Sequence, residues 1–169
     1  TPQYISHGWI NRNRILKQNA SVGYITVPVR KAPRETAIKD IYISNSIDWK
    51  EKICGQLHVY KKKAPFYRQT MDVVKSVLDE SNGNLSRLCI KSIVRSCEYL
   101  GIKRDFDIFS QMPLEIGEVT APDEWALQIA KKLNANIYVN PPGGMSFFDA
   151  EKYRENHIGL EFLQSELKP

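Results

Sequence analysis

The sequence is poor in the residues that build disulfide frameworks and metal centres. It has three cysteines in 169 residues, with no CxxC spacing. An odd number of cysteines in helix-like patterns predicts reduced thiols packed in a core, and a redox or nucleophilic cysteine is the alternative. Cys54 and His58 lie one helical turn apart, but the sequence offers no further ligand nearby. No metal site is therefore predicted.

Long apolar runs and nucleotide-binding fingerprints are also missing. No apolar run approaches the roughly 20 residues that span a bilayer. The first residues show no signal-peptide pattern either, and we expect a cytoplasmic protein without a membrane span. The dinucleotide fingerprint and the P-loop lysine are absent, and no cofactor is predicted. We also find no internal repeat and no low-complexity tract.

What the chain does have is an ordinary globular composition with an uneven charge. Hydrophobic residues make up 42% and charged residues 25% of a length that suits one domain. Residues 1–63 carry 12 Lys or Arg against 4 Asp or Glu, whereas residues 64–169 carry 12 against 15. A basic half predicts a phosphate-bearing partner, which could be a nucleotide, a phosphopantetheine carrier or a nucleic acid.

Residues 7–14 (HGWINRNR) concentrate planar polar side chains around one glycine. Guanidinium and amide groups recognise phosphate, carboxylate and carbonyl oxygens in a fixed geometry. The stretch therefore predicts an anion or sugar-nucleotide site, and a solvated N-terminal turn is the alternative. The predicted ligand contacts are Trp9, Asn11, Arg12, Asn13 and Arg14, and His7 is a candidate general base.

A basic loop follows the first predicted strand. Residues 24–29 are rich in β-branched side chains and contain Pro28, which predicts a strand near a sheet edge. Arg30 and Lys31 come directly after it, in a loop that also holds Arg34. Ligands of open α/β sheets lie beyond the carboxyl ends of strands, so Arg30 and Lys31 are predicted phosphate contacts. A solvated charged loop is the alternative. Residues 38–44 alternate and predict a second strand.

Three helices are predicted in the middle of the chain. Asp48 and Glu51 resemble a capping box at the start of the first, and Pro65 suits the first turn of the second. Asn84 is the expected N-cap of the third, which Gly101 should end with a left-handed residue. We expect these helices to form a central structural layer.

The C-terminal part predicts strands and helices in alternation. Strands are expected at residues 106–110, 135–139 and 159–163, with helices after Pro122 and near residues 149–156. The loop between the first of these strands and Pro122 contains Glu115 and Glu118, which suit acid–base chemistry if they are buried. Glu118 is the second candidate catalytic residue.

A glycine pair follows the predicted strand at 135–139. Asn140 precedes two prolines and then Gly143 and Gly144. Paired glycines permit unusual backbone angles and let main-chain N–H groups approach a ligand, so these three residues are predicted ligand contacts. A purely structural turn is the alternative.

The order of elements predicts the fold class. Strands and helices interleave, which favours a single α/β domain over residues 1–169, layered, with a largely parallel sheet and a central group of three helices. For the two polar stretches to form one site, residues 7–14 and residues 140–144 must face a common cavity.

Three groups of segments together resemble the WbqC-like protein family. They are residues 8–14 with 25–29, residues 60–66, and residues 138–144 with Phe148 and Asp149. The resemblance implies a bacterial cytoplasmic protein of surface-polysaccharide biosynthesis, such as that of O-antigen. Acyl or aminoacyl transfer onto an activated amino sugar is the activity it suggests. Similar proteins usually open with a few dozen further residues, so we expect the chain to be truncated at its N-terminus.

Three functions remain open on the sequence. The first is a transferase in which Arg12 and Arg14, with Arg30 and Lys31, neutralise a sugar nucleotide or phosphopantetheine. The second is a non-catalytic module that binds a nucleotide or a carrier. The third is nucleic-acid binding, which the charge asymmetry suggests but no RRM, KH or helix-turn-helix pattern supports.

Overall fold

The computed structural model describes residues 3–79 and 82–164 of the chain. It divides into two compact units, Thr1–Ser110 (unit 1) and Gln111–Pro169 (unit 2), and each is described by itself. Helices and short strands occur in both, so the chain is of mixed α/β class. The interpretation as a single domain stays a prediction.

Unit 1 begins with a β-hairpin. Strand β1 (Arg12–Leu16) pairs antiparallel with β2 (Val22–Thr26), so that Arg14 lies opposite Tyr24. The sequence predicts β2 but not β1, because the alternation of β1 places guanidiniums instead of apolar side chains on one face. Ile25 lies on the opposite face and packs against the core of the unit.

Three helices follow the hairpin, as predicted: α1 (Trp49–Leu57), α2 (Tyr67–Asp79) and α3 (Leu85–Tyr99). The predicted caps of α1 and α3 are confirmed, whereas Pro65 lies two residues before α2 begins and not in its first turn. The Asp48 carboxylate accepts from the Glu51 N–H at 3.0 Å, and the Asn84 side chain accepts from Arg87 N–H at 3.0 Å. Gly101 follows α3 with a φ of +69°, the left-handed conformation that glycine adopts without strain.

The core of unit 1 lies between the helices and an extended segment around residue 42. Its buried side chains are Ile41, Ile43, Trp49, Ile53, Val77, Leu78, Leu85 and Leu88. Burial of this many branched and aromatic side chains is what holds the three helices together, since each contributes about 1.5–3 kcal/mol of transfer free energy.

Two predicted strands of unit 1 are wrong. Residues 38–44 form a 3₁₀ helix (Ile38–Asp40) followed by isolated bridges, of Tyr42 with Asn84 and of Ile43 with Val29. Residues 106–110 pair with no strand among the described residues and run into a 3₁₀ helix (Phe109–Gln111). The apolar side chains of this segment line a cavity with Ile90 and Ile93 of α3, so their alternation reflects packing on a helix.

Unit 2 is a small α/β unit. It contains α4 (Glu124–Lys132), β3 (Ile137–Asn140), a 3₁₀ helix (Pro142–Phe147), α5 (Ala150–Glu155) and β4 (Gly159–Phe162). Strands β3 and β4 are parallel, with Ile137 opposite Gly159. The buried side chains are Leu127, Ala130, Tyr153 and Ile158.

Within the described residues, the sheets have two strands each, one antiparallel and one parallel. A layered, largely parallel sheet is therefore not confirmed. Among the same residues, no helix is both long and apolar enough to cross a membrane.

Candidate functional site

A surface of stacked cations and aromatic rings lies on the hairpin of unit 1. The Arg12 guanidinium carbon is 5.0 Å from the Tyr24 ring centroid and 5.7 Å from that of Trp9, and that of Arg14 is 5.4 Å from Trp9. Trp9 is 57% exposed and Tyr24 44% exposed. These four residues, the cation–aromatic face, offer flat apolar surface beside positive charge.

The hairpin and the turn before it position this face. Arg14 and Tyr24 are opposite residues of a strand pair, so their side chains project from the same side of the hairpin. The Arg12 Nε–H donates to the Gly8 carbonyl at 3.1 Å. A Cβ on Gly8 would lie 2.9 Å from the Ile5 carbonyl oxygen, so the tight turn at residues 5–8 requires glycine.

The two predicted asparagines of this stretch have different roles. Asn11 donates its side-chain amide to the Val27 carbonyl at 2.9 Å, so it fixes the end of the hairpin. The Asn13 side chain accepts from the Arg14 N–H at 2.8 Å and is exposed. Asn13 therefore keeps its side-chain N–H groups available for a ligand, whereas Asn11 uses one of its own.

The predicted phosphate contacts Arg30 and Lys31 line a basic cavity of about 860 Å³. Arg34, Gln3 and Tyr4 are also in its wall. Burial raises the pKa of Tyr4, and the positive charge of Arg12 opposes that rise. Tyr4, in the wall of the basic cavity, thus lies within the electrostatic range of Arg12.

The cations of the cation–aromatic face and of the basic cavity form no ion pair with a described carboxylate. Within residues 3–79 and 82–164, no carboxylate lies at salt-bridge distance from any of them: Arg12, Arg14, Arg30, Lys31 and Arg34. Two guanidiniums on one face of the hairpin and three cations that line one cavity, all without a described acidic partner, attract anions, phosphate above all.

The candidate bases are exposed. His7 has a φ of +62° in the turn that precedes Trp9. Glu115 and Glu118 are exposed in unit 2. In the part of the chain that the structure describes, neither His7 nor Glu118 makes a side-chain hydrogen bond or ion pair. Their catalytic roles stay predictions.

The glycine pair of unit 2 does not adopt the backbone angles predicted for it. Among the described glycines, positive φ occurs at Gly83 and Gly101, whereas Gly143 and Gly144 lie in a 3₁₀ helix. The requirement at Gly144 is steric. It is buried, and a Cβ there would lie 2.6 Å from the Asn140 side-chain nitrogen.

Asn140 is held in place beside Gly144. Its side-chain oxygen accepts from the Tyr138 hydroxyl at 2.8 Å, and its side-chain nitrogen donates to the Pro141 carbonyl at 2.8 Å. These bonds fix the position of the amide, so it cannot move away easily from a larger residue at 144. A ligand contact by Asn140, Gly143 or Gly144 stays a prediction.

Unit 2 also contains an ionic cluster that the sequence did not predict. Lys152 donates to Glu124 at 2.9 Å, and the other Glu124 oxygen accepts from the N–H and hydroxyl of Thr120, both at 2.8 Å, and from the Ala121 N–H at 3.1 Å. These bonds, that from Lys152 foremost, lower the pKa of Glu124 to about 2. The bond to Glu124 raises the pKa of Lys152.

Asp123 completes this cluster from the start of α4. It is 3% exposed, accepts from the Asp149 N–H at 3.3 Å and lies 3.7 Å from the Lys152 ammonium. The hydroxyl of Tyr153 donates to the Asp123 carbonyl at 3.0 Å. Because its groups bond one another, we assign the cluster to the connection between α4 and α5. The only sign of this cluster in the sequence is the acidic first turn of α4.

Comparison with known proteins gives one match. The model of the WbqC-like protein family matches residues 1–169, which is the whole chain. No curated protein and no solved structure matches the chain.

Proposed function

Because this chain belongs to the WbqC-like protein family, we propose that it acts in the biosynthesis of a bacterial surface polysaccharide of the O-antigen type. The proposed activity is acyl or aminoacyl transfer onto an activated amino sugar, in the cytoplasm. The family resemblance supports the pathway, and the chemistry of unit 1 supports the class of substrate.

The observation that carries the proposal is the set of cations in unit 1 that lack a described carboxylate partner. Arg12 and Arg14 present guanidiniums beside exposed aromatic rings, and Arg30 and Lys31 line a basic cavity of the same unit. A sugar nucleotide has a diphosphate for the cations and a flat base for an aromatic ring. Phosphate bound by guanidinium is held by charge-assisted, often bidentate hydrogen bonds, which orient it as well as bind it.

We assign the reacting end of the substrate to the neighbourhood of His7. The imidazole is exposed two residues before Trp9, and imidazole is the side chain that most often acts as a general acid or base. In this proposal His7 accepts the proton of the sugar amine as that amine attacks the acyl carbonyl. The bond between the carbonyl carbon and the donor's leaving group then breaks, and His7 returns the proton to that leaving group. Asn13 contributes an N–H donor to the sugar or to the acyl oxygen.

Calorimetric titration with a sugar nucleotide tests the substrate class. The double variant Arg12→Ala/Arg14→Ala should weaken binding by about a hundredfold or more, since each of the two charged hydrogen bonds contributes roughly 1.5–3 kcal/mol. Arg154→Ala is the matched control, because Arg154 is exposed in unit 2 and pairs with Glu151. Equal loss in both variants, or no loss in either, would contradict the assignment.

The second candidate is a binding module without turnover. The observation that favours it is the exposure of His7, which has no hydrogen-bonded orienting partner within the described ranges. The variant His7→Gln separates the two. A transferase that uses His7 loses product formation while its calorimetric affinity is retained, whereas a binding module forms no product before or after the substitution.

A further inference from the structure

One edge of β1 is open over two residues. In the hairpin, the Val27 N–H donates to the Asn11 carbonyl, and the Lys17 N–H donates to the Ser21 carbonyl. Backbone groups of an antiparallel strand point alternately toward and away from the partner strand, so those of Arg12, Arg14 and Leu16 point away from β2. Leu16 meets the Tyr60 hydroxyl, and the Arg14 N–H meets the Asn13 side chain. Among the described residues, the Arg12 N–H and the carbonyls of Arg12 and Arg14 have no partner.

On either side of this open edge, the backbone groups are already hydrogen-bonded. Before it, the Ile10 carbonyl accepts from the Cys89 thiol of α3 at 3.4 Å. After it, Tyr60 bonds both backbone groups of Leu16. The stretch available for pairing therefore extends from Arg12 to Arg14, roughly 7 Å along the strand.

An apolar groove of about 460 Å³ lies against residues 9–13, which include the start of β1. Its lining combines side chains of the hairpin with side chains of α2 and α3, among them Ile25, Val74, Val77, Leu88, Ser92 and Ser96. Arg12 is among the residues that line this groove, and Arg14 lies two residues further along the same strand edge. An apolar floor, a strand edge and guanidiniums are thus adjacent on one unit.

We propose that the groove and the open edge of β1 bind the acylated pantetheine arm of the acyl donor. The arm is an extended chain with two amides. These amides can hydrogen-bond to the Arg12 N–H and to the free carbonyls in the way that a short added strand would. The acyl group occupies the apolar groove, and the phosphate at the other end of the arm meets Arg12 or Arg14. The inference rests on the proposed transferase function, whose donor it specifies.

The length of the open edge favours this ligand over a peptide. A peptide that adds to a sheet pairs along several residues, since the mean strand has about five or six. Cys89 and Tyr60 block such a strand at both ends, whereas an arm with two amides needs only the stretch between them. The guanidiniums also match a phosphate terminus, which a peptide lacks.

Calorimetry with three probes separates this inference from the proposed function. The probes are S-hexanoyl pantetheine, which has no phosphate, hexanoyl coenzyme A and a sugar nucleotide. The inference expects the first to bind and the second to bind more tightly. If the sugar nucleotide binds and S-hexanoyl pantetheine does not, the inference is overturned and the proposed function stands. If S-hexanoyl pantetheine binds and the sugar nucleotide does not, the groove ligand is retained and sugar-nucleotide recognition is overturned.

Two independent pairs of variants locate the ligand. Ser92→Trp fills the groove from an exposed helical position, and Ser92→Ala is its control because the hydroxyl bonds only the Cys89 carbonyl of its own helix. Arg12→Pro removes the guanidinium and the free N–H, whereas Arg12→Ala removes the guanidinium alone. Circular dichroism checks that each variant is folded.

For S-hexanoyl pantetheine, we expect about tenfold weaker binding in Ser92→Trp than in Ser92→Ala, and in Arg12→Pro than in Arg12→Ala. Between the two acyl probes, Arg12→Ala should lose the extra affinity for hexanoyl coenzyme A. Folded Ser92→Trp and Arg12→Pro variants that bind S-hexanoyl pantetheine normally would overturn the inference. Tighter binding of a hexanoylated acyl carrier protein than of hexanoyl coenzyme A would assign the arm to a carrier, and the reverse order to the free coenzyme.

Discussion

The Tyr60 hydroxyl bonds both backbone groups of Leu16, accepting from its N–H at 2.8 Å and donating to its carbonyl at 3.0 Å. A side chain 44 positions away thus takes the place that a neighbouring strand would occupy. It also attaches the hairpin to the 3₁₀ helix His58–Tyr60, which continues α1.

The substitution Tyr60→Phe should free this end of β1. We expect a loss of about 1 kcal/mol in the free energy of unfolding, because two partly exposed hydrogen bonds are removed while the ring is kept. Hydrogen exchange at the Leu16 amide should accelerate. Urea denaturation and exchange mass spectrometry measure the two effects. Tyr99→Phe is the control, since Tyr99 is exposed and its hydroxyl bonds no described group; equal effects would refute the explanation.

A methyl group at position 144 should destabilise unit 2. In Gly144→Ala the new Cβ would overlap the Asn140 amide at 2.6 Å and crowd the rings of Phe147 and Phe148, both at 3.1 Å. We expect a cost of about 1–3 kcal/mol in the free energy of unfolding, the usual range for overpacking. Gly143→Ala is a matched control because nothing lies within 4 Å of its Cβ position. Similar denaturation midpoints for both variants would show that the amide moves freely.

Glu124 should make the stability of unit 2 depend on pH. Its pKa is lowered to about 2 in the folded chain by the bonds from Lys152 and Thr120. A lowered pKa stabilises the fold above the unfolded value, near pH 4.5, and that contribution is lost as the pH falls toward 2. The variant Glu124→Gln should therefore melt at a lower temperature than the natural chain at pH 7, with the difference shrinking below pH 4.5.

Melting curves between pH 7 and pH 2 measure this difference, and hydrogen exchange at the Thr120 and Ala121 amides assigns it to unit 2. Glu155→Gln provides the control, because Glu155 is exposed and forms no ion pair among the described residues. A difference for Glu124→Gln that stays constant over the whole pH range would be incompatible with the bonded carboxylate.

Local signals in the sequence predicted local structure well. The caps by Asp48 and Asn84 and the left-handed Gly101 depend on residues three or four positions apart, and all three are confirmed. The strand predicted at residues 106–110 failed because alternating apolar residues can pack on a helix as well as pair in a sheet. Strand pairing requires a partner that the local pattern does not reveal.

The candidate site was predictable in composition but not in geometry. Residue types alone identified Arg12, Arg14, Arg30 and Lys31 as cations for phosphate, and the structure leaves all four without a described carboxylate partner. The cluster around Glu124 was missed because Lys152 lies 28 positions away. The open edge of β1 was missed because it depends on which backbone groups the hairpin itself consumes.

The shortness of the open edge of β1 also bears on the behaviour of concentrated solutions. Long bare strand edges let separate molecules join edge to edge and begin aggregates, and natural proteins limit them. Here Cys89 and Tyr60 confine the bare stretch to Arg12–Arg14, where two positive charges repel the same edge of another copy. The hairpin is therefore protected against self-association by the features that leave it free to receive a small ligand.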